Sequence, residues 1–263
     1  MTRPVPNFLA KKNAHPRDQF IEFDEGPHIY TVHGKTGYTS VTTWNHHHFP
    51  KFDANAIVDG ILRNKKMKDP TYKYYGMTKE QILSDWDKNR DSASGAGTNM
   101  HYDIECYFNQ LEVNNDSIEY QWFQRFVRDF PELKPYRTEW MVYYEELKLS
   151  GSIDMIFENP DGTLQIYDWK RCKEIVYENG FGKSAITPCI SHLPDTNFWH
   201  YALQLNTYKK IIEEKYDKKV TALYLVCLHP DNPYKTYDRI EVPILEKELH
   251  DLFEERRKEV NNH

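Results

Sequence analysis

The segment GSIDMIFENPDGTLQIYDWK, residues 151–170, specifies a hairpin together with its register and so leaves this chain few choices. Pro160 presets the first turn residue and Gly162 takes the left-handed position of a three-residue loop, so Asn159 is expected to pair with Thr163. Counting back along both strands places Asp154 opposite Asp168, and the period of two puts Lys170 on the same face. Carboxylates facing each other in this way lie about 4.5–5.5 Å apart at Cβ and repel, which destabilises a sheet unless something offsets the charge. A divalent cation does so naturally: two carboxylates offer hard oxygen donors that suit Mg²⁺ or Mn²⁺. A lysine beside such ions can stabilise charge developing on a phosphate or help to activate water. The competing account is a wet surface hairpin on which Asp168 and Lys170 are merely solvated. Leu164 and Ile166 share the Asp168 face, which sets that carboxylate at the rim of a core and favours the functional account.

Around this hairpin the pattern is that of a mixed α/β (α+β) protein. Short strands are expected at residues 19–24, 28–32 and 38–44, separated by Gly26-Pro27 and the Gly34 to Gly37 turn. Helices follow at 54–66, at 78–89 behind a Thr78-x-x-Gln81 capping box, at 94–110 and at 117–130. The period then changes to two, giving an antiparallel meander at 136–144, 151–158 and 163–170. An irregular stretch (178–195), a helix (197–215), strands at 220–228 and 235–242 and a final helix complete the chain. With 263 residues, 39% of them hydrophobic, this is one large domain or a core with an insertion, and wholesale disorder is excluded. We divide it into an N-terminal β-strand and helical extension, residues 1–91, with substrate binding as its expected role, and a core at 92–263.

The first twenty residues contain no apolar run longer than Phe8-Leu9-Ala10, so neither a secretory segment nor a membrane span is expected. A soluble, intracellular protein follows, of cytoplasm or nucleus or encoded by a virus. Four cysteines without any C-x-x-C spacing write neither a zinc finger nor an iron–sulfur cluster. A net charge of -6 argues against coating nucleic acid by bulk charge but leaves room for a local groove or a metal-loaded acidic site.

Two further pairs stand one helical turn apart. His101 and Glu105 project from one helix face, where the imidazole could join a metal site begun by Asp154 and Asp168, although a surface pair is the blander account. Gln204 and Tyr208 lie likewise, with the core stripe Tyr201, Leu205, Tyr208 and Ile212 as the alternative.

In order, Gly97 to His101, Gly151 to Asp154, Asp168-Trp169-Lys170 and Gln204 to Tyr208 resemble the four motifs of the RecB-like branch of the PD-(D/E)xK nuclease superfamily. That branch includes RecB-type exonuclease domains and the mitochondrial genome maintenance exonuclease. The resemblance spans residues 97–208 and implies a restriction-endonuclease-like core, a mixed sheet flanked by helices. It implies a nuclease that hydrolyses DNA phosphodiester bonds with Mg²⁺ or Mn²⁺, an exonuclease on single strands or ends in replication, repair or recombination. Carried over by residue, Asp154, Asp168 and Lys170 would be catalytic, and His101, Asp154, Asp168 and the Trp169 carbonyl would face the metal. Gln204 and Tyr208 would support the nucleic-acid strand, and Glu139 resembles an acidic position ahead of Gly-x-x-Asp. Several relatives bind an iron–sulfur cluster through cysteines, a spacing this chain lacks, so none is expected. The implied partners are DNA, with RNA left open, and proteins of replication or recombination, with no membrane.

Other features bind less firmly to a function. His46, His47 and His48 point in different directions and are poorly spaced for one ion. Arg63, Lys65, Lys66 and Lys68 could track a phosphate backbone or form a solvated helix end. Trp44, Phe49, Tyr72, Tyr74 and Tyr75 offer either stacking platforms or core. The rival readings are a structure-selective or RNA-directed endonuclease and a non-catalytic nucleic-acid-binding protein on the same fold.

Overall fold

The computed structural model describes residues 3–262. In chain order these form α1 (Phe8–Lys12), β1 (Ile21–Asp24), β2 (Ile29–Val32), β3 (Thr39–Ser40), α2 (Val41–His47), α3 (Ala54–Arg63), α4 (Lys79–Phe108) and α5 (Ile118–Asp129). Then come β4 (Lys134–Tyr144), β5 (Leu149–Glu158), β6 (Leu164–Lys170), α6 (Asn197–Lys215), β7 (Val220–Cys227), β8 (Asp238–Glu241) and α7 (Glu246–Asn261). By contacts the chain divides in two: residues up to Pro50 fold with those from Met100 onward, and Lys51–Asn99 form a smaller unit. The first fifty residues therefore belong with the sheet, whereas the sequence suggested a boundary at residue 91.

The larger unit is built on a mixed sheet in the order β4-β5-β6-β7-β8, with β3 joining β5 in parallel at Leu149 and Ser150. The expected meander is present, since β4, β5 and β6 run antiparallel. β6 and β7 are parallel, as a crossover through α6 requires. Alternation sorts the strands onto two cores. Leu164, Ile166, Leu223 and Leu225 pack with α6 and α7 on one face, and Tyr167, Trp169 and Val226 pack with α5 and the end of α4 on the other. The fold is thus a mixed α/β arrangement, a mixed sheet flanked by helices.

Several expected elements change. Of the strand expected at 38–44, only Thr39–Ser40 is extended. The Ser40 hydroxyl accepts from the Thr43 N–H at 3.1 Å and starts α2, so an N-cap overrides the β-branched run Val41-Thr42-Thr43. The helices expected at 78–89 and 94–110 are one helix, α4, that runs through Gly95 and Gly97. Its start is as expected: Thr78 and Gln81 exchange capping hydrogen bonds. β8 is shorter than the 235–242 pattern suggested.

In the smaller unit Val58 and Ile82 are buried, Lys79 pairs with Asp59 at 2.7 Å, and the Trp86 indole N–H donates to the Tyr74 hydroxyl. Among the described residues no helix is long and apolar enough to cross a membrane.

Candidate metal centre

The β5–β6 ladder runs from Glu158 and Leu164 to Met155 and Tyr167 and stops there. The next pair in that register is Asp154 and Asp168, as the loop count requires. Here the strands part, and the Trp169 N–H donates to Asp154 Oδ2 at 3.0 Å. On the other edge of β5 the β4 ladder pairs Thr138 with Met155 and Trp140 with Ile153 but passes over Glu139 and Asp154. Glu139 has a left-handed backbone, φ +41°. Glu139, Asp154 and Asp168 therefore stand in a row across three adjacent strands where the pairing opens.

His101 reaches this row from α4. Its Nε2–H donates to the Trp169 carbonyl at 2.9 Å, because a carbonyl can only accept. Nδ1 is left facing Asp154 Oδ2 at 3.5 Å and Glu139 Oε1 at 3.8 Å. One ligand atom from each of His101, Glu139 and Asp154 lies within 4.8 Å of the others. The Ser152 hydroxyl donates to Glu139 Oε2 at 2.7 Å and fixes that carboxylate.

Asp168 lies outside this compact trio. It is buried, and its Oδ2 is 2.7 Å from Lys170 Nζ. The ammonium therefore neutralises this buried carboxylate directly. The Lys170 ammonium also sits 4.7 Å from the centre of the Tyr201 ring on α6. Two turns further along α6, Tyr208 closes on β5: a Cβ built on Gly151 would meet the Tyr208 hydroxyl at 2.6 Å. Gly-x-x-Asp and Gln-x-x-x-Tyr are thus two sides of one close approach. Tyr208 is at once a member of the core stripe and a wall of the site, and Gln204, one turn before it, is half-buried.

The electrostatics follow from crowding acids in a dry place. Burial pushes Asp154 and Asp168 above the usual carboxylate range, Asp168 to about 6. Burial also opposes charge on His101, but Asp154 and Glu139 outweigh it and raise the imidazole to about 9. Burial likewise opposes charge on Lys170, and Asp168 and Asp154 prevail and raise it. Glu105, one turn beyond His101, is raised to about 7 by burial and then by Glu139.

The donor set fits a divalent ion. One imidazole nitrogen and two carboxylates converge, and the field that holds a proton on Nδ1 would equally hold a cation. The Nε2–H bond to the Trp169 carbonyl is the outer contact that orients a ligating imidazole.

The structure draws together His101, Asp154, Asp168, Trp169 and Lys170, with Tyr208 and Gln204 on the covering helix. Sequence reasoning missed Ser152 and Tyr201 and left Glu139 without a firm role. Ser152 shares the Asp154 face by alternation and is diagonal to Glu139 across β4, a signal readable once the register is known. The histidine run does not converge: His48 bonds Thr187, and His46 lies against His200. Trp44 and Phe49 are core.

No protein-family model matches the sequence, and no curated protein matches it. A crystal structure from Eubacterium rectale, named "Putative exonuclease", is similar at a TM-score of 0.39 and 12% identity, over 86% of this chain and 81% of that one. At that level the chemistry has to stand on the residues of this chain.

Proposed function

We propose that the protein is a metal-dependent nuclease of the RecB-like type that hydrolyses DNA phosphodiester bonds, acting as an exonuclease on single strands or ends in replication, repair or recombination. The observation that carries this reading is the convergence of His101, Glu139 and Asp154 beside the Asp168–Lys170 pair at the parted end of β5 and β6. A divalent cation, Mg²⁺ or Mn²⁺, would be held by that trio with Asp168 beside it, and it would supply charge neutralisation on the phosphate oxygens.

The remaining work falls to the chain. The Trp169 peptide fixes the centre from both ends, its N–H on Asp154 and its carbonyl on His101. Asp168 keeps Lys170 protonated and Tyr201 flanks it, so the ammonium is placed to stabilise charge on the phosphoryl oxygens as water attacks in line. Burial by Tyr208 strengthens each of these interactions, and Gln204, half-buried one turn before it, would meet the strand.

The test is degradation of end-labelled linear and circular single-stranded DNA, and of RNA, with Mg²⁺, Mn²⁺ or EDTA. The expected result is metal-dependent loss of the linear DNA strand alone, reduced about 10²–10⁴-fold in Lys170→Ala. Internal cuts in the circle would make it an endonuclease, and binding without cleavage in any metal would overturn hydrolysis.

A further inference from the structure

A cavity of about 760 Å³ opens at the carboxyl ends of the parallel strands β6 and β7, where open α/β sheets usually bind ligands. It adjoins the candidate centre through the backbone. Lys170 and Cys227 are ladder partners, the Leu228 N–H donates to the Lys170 carbonyl at 2.8 Å, and the lining begins at Lys173 and at Asp231. Two aromatic rings line it while remaining open to solvent, Tyr177 at 47% exposure and Tyr234 at 77%.

The Tyr177 ring is packed, and Tyr234 is fixed through its backbone. Tyr177 rests on Phe198 of α6 at 4.4 Å between centroids, and its carbonyl accepts from the Trp199 indole. The Tyr234 N–H donates to Asn232 Oδ1, and the buried Asn232 side chain donates in turn to Asp238. The packed Tyr177 face loses little entropy on binding, and two exposed rings suit a flat partner.

The charges select which part of a nucleotide enters. Glu174, Asp231 and Asp238 share the lining with Lys173 and Arg239. Lys173 faces Asp231 at 4.0 Å, and the Arg239 guanidinium lies on the Tyr224 ring and donates to the Tyr167 hydroxyl. Three acids against two engaged cations disfavour a phosphate. They favour a neutral heterocycle whose exocyclic N–H groups can donate to carboxylates.

We infer that this cavity takes the unstacked base of the nucleotide next to the scissile phosphate of a single strand, with Tyr177 and Tyr234 as its stacking platforms. The inference rests on the nuclease reading for what lies beside it. It gives a physical reason for preferring single strands, since a paired base would first have to leave its stack.

The test is fluorescence anisotropy in EDTA, with single-stranded DNA oligonucleotides of about eight nucleotides, each intact or carrying one abasic residue. The wild type is expected to lose about tenfold in affinity when the abasic residue falls at one position or two adjacent ones. Tyr234→Ala is expected to bind the intact strand about tenfold more weakly and to be indifferent to an abasic residue there, and Tyr177→Leu to behave alike. Wild-type affinity in both variants, or an equal loss on intact and abasic strands, would overturn the base pocket. Because no metal is present, the two readings fail separately. A protein that shows the coupling yet cleaves nothing in Mg²⁺ or Mn²⁺ keeps the pocket and loses the hydrolysis, and one that cleaves without the coupling loses the pocket alone.

Discussion

At its closed end the β5–β6 hairpin satisfies itself locally, and at its open end it does not. Across the turn, the Asn159 N–H donates to the Thr163 carbonyl at 2.8 Å, Asp161 accepts from the Thr163 N–H and hydroxyl, and Gly162 carries the left-handed φ of +82°. Sixteen ångströms of chain is roughly the reach of five strand residues, and over that distance the logic reverses. Ladder bonds lapse beside Asp154 on both edges of β5, a non-glycine residue, Glu139, takes a left-handed backbone, and a buried carboxylate, Asp168, is held against an ammonium. A sheet gives up pairing and accepts strain where surrounding structure holds it to a task, and here the lapses coincide with three carboxylates, an imidazole and an ammonium.

The largest effect that would break this contrast comes from neutralising the strained residue. Glu139→Gln is expected to lower metal-dependent hydrolysis about 10²–10³-fold while leaving far-UV circular dichroism unchanged. Wild-type rates would mean that the left-handed Glu139 only interrupts the ladder. Next, Gly151→Ala drives a methyl group into Tyr208 and is expected to destabilise the fold by about 1–3 kcal/mol in urea denaturation. An unchanged midpoint would show that the close approach of α6 is slack.

His101 keeps its proton to about 9 in the fold against 6.5 ordinarily, so that stabilisation is complete below 6.5 and is lost as pH rises through about 9. Asp168, raised to about 6 from 3.8, acts in the same sense at lower pH: its contribution is complete below 3.8 and is lost through about 6. A divalent ion has to displace the His101 proton, so the rise in Tm on adding Mg²⁺ is expected to grow with pH and to level off above about 9. In His101→Ala the metal-induced rise should be small and flat with pH. The smallest effect belongs to the closed end, where Gly162→Ala is expected to cost about 1 kcal/mol and to leave metal affinity unchanged.

The contrast also separates what a sequence displays from what it does not. Pro160, Gly162 and strict alternation write the hairpin and its register locally, so the opposition of Asp154 and Asp168 could be counted off the chain. Asn197–Lys215 likewise reads as a helix from the sequence and is one. Val41-Thr42-Thr43 misleads because strand propensity is weaker than a serine cap, and Gly95 and Gly97 do not break α4. At the site, the acids and His101 were visible as residue types. That His101 and Glu139 close on Asp154 while Asp168 turns to Lys170 depends on the course of α4 and on a left-handed residue in mid-strand, neither of which periodicity encodes.

Mn²⁺ uptake followed by electron paramagnetic resonance tests whether the parted end of β5 and β6 is a metal centre. The wild type is expected to take up Mn²⁺ saturably, with Asp154→Asn losing that uptake while remaining folded. Equal uptake by both proteins, or none by the wild type, would contradict it.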